Sequence, residues 1–109
     1  MPQPDASLKG KNENTCRLTF EIFGDRWTLR IIDALRNGGV RFCELQERLD
    51  INSATLTIKL KRLTALQLIT RTKEASNRLP VTYSLTALGT ELLPIYDGIL
   101  KFGKKFLPK

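Results

Sequence analysis

Residues 42–66, FCELQERLDINSATLTIKLKRLTAL, constrain the fold more than any other stretch. Leu45 and Leu49 lie four apart, on one face of a short helix expected over residues 43–49. Asp50, Ile51 and Asn52 then break the pattern. Asn52 is a strong N-cap, because its side-chain oxygen can accept an orphan backbone N–H of the helix that follows. That second helix, over residues 53–66, carries Leu56, Leu60 and Leu63 at spacings of four and three, an apolar stripe. Two short amphipathic helices across a tight polar turn are the skeleton of a helix-turn-helix. At about 100° per residue, the face opposite the stripe holds Ala54, Thr55, Ile58, Lys61 and Arg62, with Thr57 and Lys59 on its flanks. This face is cationic, compact and free of acid. Phosphates attract such charge, and base edges in a major groove accept short side chains. On an all-helical domain the same face would be ordinary solvated surface, so the residues downstream decide between the two readings.

Charge points the same way. The chain of 109 residues holds 18 Lys/Arg against 11 Asp/Glu, a net charge of +7. The excess is local: residues 51–85 contain Lys59, Lys61, Arg62, Arg71, Lys73 and Arg78, opposed by Glu74 alone. Clustered cations fit a polyanionic partner better than the total does. With 41% hydrophobic and 27% charged residues the composition is globular, and the length suits one domain that can bury a core without metal or disulfide. No apolar run suggests a signal peptide or a membrane span, so a cytoplasmic protein is expected. There, two cysteines are expected as free thiols. Histidine is absent, which removes Ser-His-Asp and Cys-His catalysis and the common zinc sets. Neither cysteine belongs to a C-x-x-C, so a thiol-redox enzyme is not supported either. No enzyme activity, cofactor or metal is expected.

Along the chain, residues 1–13 are polar, with Pro, Gly and Asn, and read as a disordered tail. The folded domain is expected over residues 14–107. Asn14 or Thr15 can cap a helix over residues 16–23, which Gly24 ends. Asp25 can cap a second helix over residues 26–36, with Trp27, Ile31, Ile32 and Leu35 on its core face. Asn37, Gly38 and Gly39 stop it, and residues 40–42 read as a short strand. After the helix-turn-helix, residues 68–73 (LITRTK) and 81–85 (VTYSL) read as two strands around a turn at residues 75–78. In the second, Val, Tyr and Leu alternate with Thr and Ser. A helix-turn-helix followed by a hairpin is a winged helix, mainly α with a small β wing. Arg71, Lys73, Asn77 and Arg78 give the wing a basic tip that can reach the DNA backbone or minor groove beside the recognition helix. A hairpin that merely closed the fold would not need them unopposed.

The last helix is expected over residues 86–106, with Pro94 as a kink. Leu88, Leu92, Ile95, Ile99, Phe102 and Phe106 recur at 4-3-4-3-4, a heptad seam. Leu93, Tyr96, Leu100 and Leu107 form a second stripe. So short a chain has too little core to cover both stripes, which predicts a homodimer.

These residues, in this order, resemble the HxlR-type winged helix-turn-helix transcriptional regulators of bacteria, within the MarR-like group. The likeness covers residues 16–106. It runs through the opening Cys16, the turn Gly24-Asp25-Arg26-Trp27, the segment Arg41-Phe42-Cys43-Glu44-Leu45 and the wing strand Val81-Thr82-Tyr83-Ser84-Leu85-Thr86. Leu88-Gly89 and Glu91-Leu92-Leu93-Pro94 complete it. The resemblance implies a dimeric regulator binding operator DNA and joined through its first and last helices. Leu18 would then share the interface with Leu92, Ile95, Ile99, Phe102 and Phe106. It also implies a candidate electrophile or oxidant sensor in Cys16. The chain departs from the family pattern at Cys43, where Ser is usual, and at Arg17, where Pro is common. Ser53, Ala54 and Ile58 stand where Pro, Lys and Gln are common, so the resemblance carries no operator sequence.

From these residues a pseudo-palindromic double-stranded operator is expected, read by Asn52, Ser53, Ala54, Thr55, Thr57, Ile58, Lys59, Lys61 and Arg62. Asn52, Thr55 and Thr57 belong near phosphates or the groove edge. Lys61 and Arg62 suit guanine or phosphate, and Ile58 suits a thymine methyl. The alternative is an interaction module that uses the same faces for protein or RNA, indifferent to DNA sequence. Cys16, expected at a helix N-terminus beside Arg17, would favour thiolate. Cys43, with Gln46 three residues on, reads as a capping box with sulfur in place of a hydroxyl.

Overall fold

The computed structural model describes residues 6–73 and 81–108, with side chains from residue 12 onward. Its elements are α1 (Ala6–Phe23), α2 (Thr28–Ala34), β1 (Val40–Arg41), α3 (Phe42–Leu49) and α4 (Ser53–Ala65). They continue with β2 (Ile69–Thr72), β3 (Thr82–Leu85), α5 (Ala87–Thr90) and α6 (Leu93–Phe106). This is the winged-helix order, mostly helical with a three-stranded antiparallel sheet.

The core gathers every periodic stripe read from the central sequence. Ile31 and Ile32 belong to α2 and Leu35 follows it, Leu45 and Leu49 belong to α3, and Leu56, Leu60 and Leu63 to α4. They close on Val40, Ile51, Leu68 and Ile69. Fully burying one such side chain stabilises the fold by about 1.5–3 kcal/mol. The turn between α3 and α4 is made by Asp50, whose φ of 50° is left-handed, and by Asn52. The Asn52 side chain accepts the backbone N–H of Ala54 at 2.8 Å. A short polar side chain tolerates the one conformation and supplies the other.

The sheet order is β1-β3-β2, so β1 is sutured onto the wing. Val40 pairs with Tyr83 and Arg41 with Thr82, while Ile69 to Thr72 pair with Leu85 to Thr82 on the opposite edge of β3. Gly39 permits this join, because a Cβ there would collide with the Thr82 methyl.

Four expectations are corrected. First, α1 begins at Ala6, so residues 6–13, read as tail, are helical, and Asn14 and Thr15 cap nothing. Asn14 instead accepts a hydrogen bond from Arg17 at 3.0 Å, one turn along the helix. Secondly, α2 begins later than expected, at Thr28. Asp25 still serves its N-terminus, accepting the backbone N–H groups of Trp27 and Thr28 at 3.2 and 2.8 Å. Thirdly, the last helix is two helices. Thr86 caps α5, accepting from Gly89 N–H at 3.0 Å. Pro94 sits in the first turn of α6, where its missing N–H costs nothing. Finally, Leu92 lies in the turn between them and packs with Leu93 on the core of its own chain, so it leaves the predicted dimer seam.

The outer helices stand away from this core. Residues 12–21 of α1 are all exposed, and so is α6 from Asp97 to Phe106 apart from Gly103. The radius of gyration, 16.7 Å, exceeds the roughly 13 Å of a compact chain this long. One strap fixes the start of α6: Arg36, beyond α2, donates to Asp97 at 2.5 and 3.2 Å and to Asp33 at 3.0 Å. These carboxylates raise the guanidinium pKa above its ordinary value, Asp97 most.

Candidate nucleic-acid interface

The outward face of α4 follows from its inward one. With Leu56, Leu60 and Leu63 buried, Ser53, Ala54, Ile58, Lys61 and Arg62 are turned to solvent, and Asn52 stands exposed at the cap. Ile58 is 61% exposed, although it is the most apolar residue on that face. Thr55 and Thr57 are half-buried on its margins. The Thr57 hydroxyl donates to the carbonyl of Ser53 at 2.8 Å, so its proton is committed to the helix. Its oxygen can still accept.

The cations divide. Lys61 projects into solvent. Arg62 is exposed but donates one N–H to the backbone carbonyl of Glu21 at 3.3 Å, leaving other donors outward. Lys59 departs from the expectation of a DNA contact: it is largely buried and forms an ion pair with Asp25. Its position on the flank of α4 turns it toward the loop between α1 and α2. Burial pushes the Asp25 carboxyl up, but Lys59 and the Thr28 N–H outweigh burial and hold it below the usual carboxylate range. Sequence reading missed this pair because its partners are joined only by the tertiary fold.

The wing supplies Arg71 and Lys73, both exposed. Asn77 and Arg78, also expected there, lie outside the described residues. Arg71 shares its sheet face with Tyr83, and both line a hollow of about 530 Å³ against Thr57, Leu60 and Lys61 of α4. The recognition helix and the wing therefore present one surface. Beside it is a second hollow of about 490 Å³, bounded by Arg41, Phe42, Thr57, Arg71 and Tyr83. Arg41 and Tyr83 were not among the expected contact residues.

The cysteines fall differently from expectation. Both are exposed. Cys16 lies well inside α1, so the argument that a helix N-terminus favours its thiolate does not hold. Cys43 follows the first residue of α3, whose N-cap position is Arg41 with no side-chain cap. The sulfur capping box with Gln46 is therefore absent. Among the described residues no group of three or more His, Cys, Asp or Glu side chains converges, and no helix is long and apolar enough to cross a membrane.

The family description "HxlR-like helix-turn-helix" matches residues 22–109. The chain belongs to the HxlR-like family. An uncharacterized HTH-type transcriptional regulator of Mycobacterium tuberculosis (strain CDC 1551 / Oshkosh) is 31% identical over all 109 residues of this chain and 68% of its own length. A MarR-family transcriptional regulator structure from Porphyromonas gingivalis W83 superposes with a TM-score of 0.78 at 33% identity, covering 98% of this chain and 100% of that one. The reduced form of the regulator YodB from Bacillus subtilis gives 0.73 at 28%, covering 84% and 90%. YodB is also known in quinone-bound and diamide-treated forms. The HxlR-like chain is thus a transcriptional regulator with a DNA-binding helix-turn-helix in a winged-helix fold, as the resemblance implied.

Proposed function

We propose that this HxlR-like regulator binds a pseudo-palindromic operator in double-stranded DNA as a homodimer, in the cytoplasm. The recognition helix, residues 53–66, enters the major groove, and the wing, residues 68–85, lies on the adjacent backbone or minor groove. The observation that carries this reading is the outward face of α4: compact, cationic, free of acid and continuous with Arg71 of the wing. Lys61, Arg62, Arg71 and Lys73 supply charge. Asn52, Ser53, Ala54, Thr55 and Thr57 line the approach, and Ile58 meets a thymine methyl.

The outer helices support the dimer. Leu18, Phe20, Ile95, Ile99, Phe102 and Phe106 are all exposed, an apolar surface that water disfavours and a second copy would cover. Two recognition helices would then read half-sites about one turn, ~34 Å, apart. Selection from random duplexes, with sedimentation of the complex, tests both parts. A palindromic site bound by two protomers is the expected result. No enriched sequence, or a single protomer bound at micromolar concentration, would overturn it. An interaction module for protein or RNA would also give no enriched sequence.

A second reading, thiol response through Cys16, is favoured by the exposure of that residue and by likeness to YodB. Diamide is expected to weaken operator binding by the native protein and to leave Cys16→Ser unaffected. Equal sensitivity of the two would remove the reading.

A further inference from the structure

We propose that the crest of the recognition helix reads the C5-methyl group of a pyrimidine, through Ala54 as well as Ile58, so that 5-methylcytosine is recognised where thymine is. The proposal rests on the DNA-binding reading above and adds to it a second reading residue and the chemical class that both residues accept. At about 100° per residue, Ala54, Ile58, Lys61 and Ala65 fall within about 60° of one another around the helix axis. They lie opposite the buried Leu56, Leu60 and Leu63, and all four are exposed. This line is therefore the outermost ridge of α4, and three of its four side chains are pure hydrocarbon.

Polar side chains beside the ridge are held by the protein itself. The Asn52 side-chain oxygen accepts the N–H groups of Ala54 and Thr55 at 2.8 and 3.4 Å. The Thr57 hydroxyl donates to the Ser53 carbonyl at 2.8 Å. Lys59 pairs with Asp25, and Arg62 donates to the Glu21 carbonyl at 3.3 Å. On the ridge, Lys61 alone can hydrogen-bond, and it lies nearly a turn beyond Ile58. The first two turns of α4 thus meet base edges with hydrocarbon. Hydrocarbon pressed on a bare base edge strips water from donors and acceptors and offers no bond in return, which is unfavourable. Thymine alone among the four bases presents a methyl group in the major groove, and contact there buries apolar surface on both partners. Ala54 and Ile58 lie about 6 Å apart along the helix axis, and successive base pairs are about 3.4 Å apart. The two side chains can therefore meet methyls on nearby base pairs of one half-site. A methylated cytosine carries the same group on the same ring carbon. Methylation of a cytosine at such a position strengthens binding, which ties occupancy of any operator with cytosine there to its methylation.

Fluorescence anisotropy of the full chain on its selected operator tests the proposal. Each half-site thymine is replaced in turn by uracil, which removes the methyl and keeps the base pair. Affinity is expected to fall roughly fourfold for each methyl that is read. With cytosine and then 5-methylcytosine at the same position, a gain of similar size is expected from the methyl. In Ile58→Ala the thymine-to-uracil affinity ratio should move toward one at one position per half-site, and in Ala54→Gly at another. Each ratio compares two duplexes on one preparation, so partial unfolding cannot imitate the result. An operator without half-site thymine, ratios of one throughout, or ratios that persist in either variant would overturn the methyl reading and leave sequence-specific DNA binding intact. A thymine effect with no gain from 5-methylcytosine would do the same. Selection that enriches no sequence would overturn the methyl reading and the operator reading together.

Discussion

Ile58 puts a branched hydrocarbon at the centre of a surface otherwise built for charge, and it is 61% exposed. Its side chain cannot hydrogen-bond a base, so in the proposed complex it would select by shape. Ile58→Gln should change the preferred base at one position per half-site in a binding selection while leaving the fold unaltered. Asn52 does structural work at the same face. Asn52→Ala removes the acceptor for Ala54 N–H and should cost about 1 kcal/mol in urea unfolding. Asp25 couples the fold to pH. Its folded pKa lies below the ordinary value, so its stabilisation is complete above about pH 4 and fades as pH falls through the folded pKa. Asp25→Asn should therefore be less stable than the native protein at neutral pH in urea unfolding, and the gap between them should close in acid. The capping role of Asp25 was legible because it is local. Its grip on Lys59 was not, since nothing near either residue names the other.

Among the elements, α3, the turn and α4 were legible almost to the residue, because periodic leucines and a capping Asn act over a few positions. The C-terminal segment was misread where two local signals compete. Its 4-3 spacing favours one rod, but Thr86 starts a short helix and Pro94 starts another. Gly89 shows why the first is needed. A Cβ there would strike the carbonyl oxygen of Leu68, so α5 lies directly on the chain entering β2. Gly89→Ala should lower stability by about 2 kcal/mol in thermal or urea melts. At α3 the sulfur of Cys43 caps nothing, so Cys43→Ser should change stability by less than about 0.5 kcal/mol. The pairing of β1 with β3 was invisible for a different reason. Two residues of strand carry too little pattern to announce a partner, and the glycine that admits the partner reads equally well as a helix stop.

For the whole molecule, the exposed apolar surfaces of α1 and α6 mean that oligomeric state and DNA binding should fail together. Phe102→Glu should shift the protein to a monomer in sedimentation and weaken operator binding far more than it changes the melting of one protomer. The heptad spacing disclosed that surface, although it assigned Leu92 to the wrong side of it. The recognition helix is also moored to α1: Arg62 reaches the carbonyl of Glu21, and Lys59 reaches Asp25 just beyond the end of that helix. A protomer that tilts α1 must break these moorings or swing α4 with it. In the proposed dimer, the angle at which two copies cross would thus set the reach between their reading heads, and a perturbation beside Cys16 would have a mechanical route to the operator.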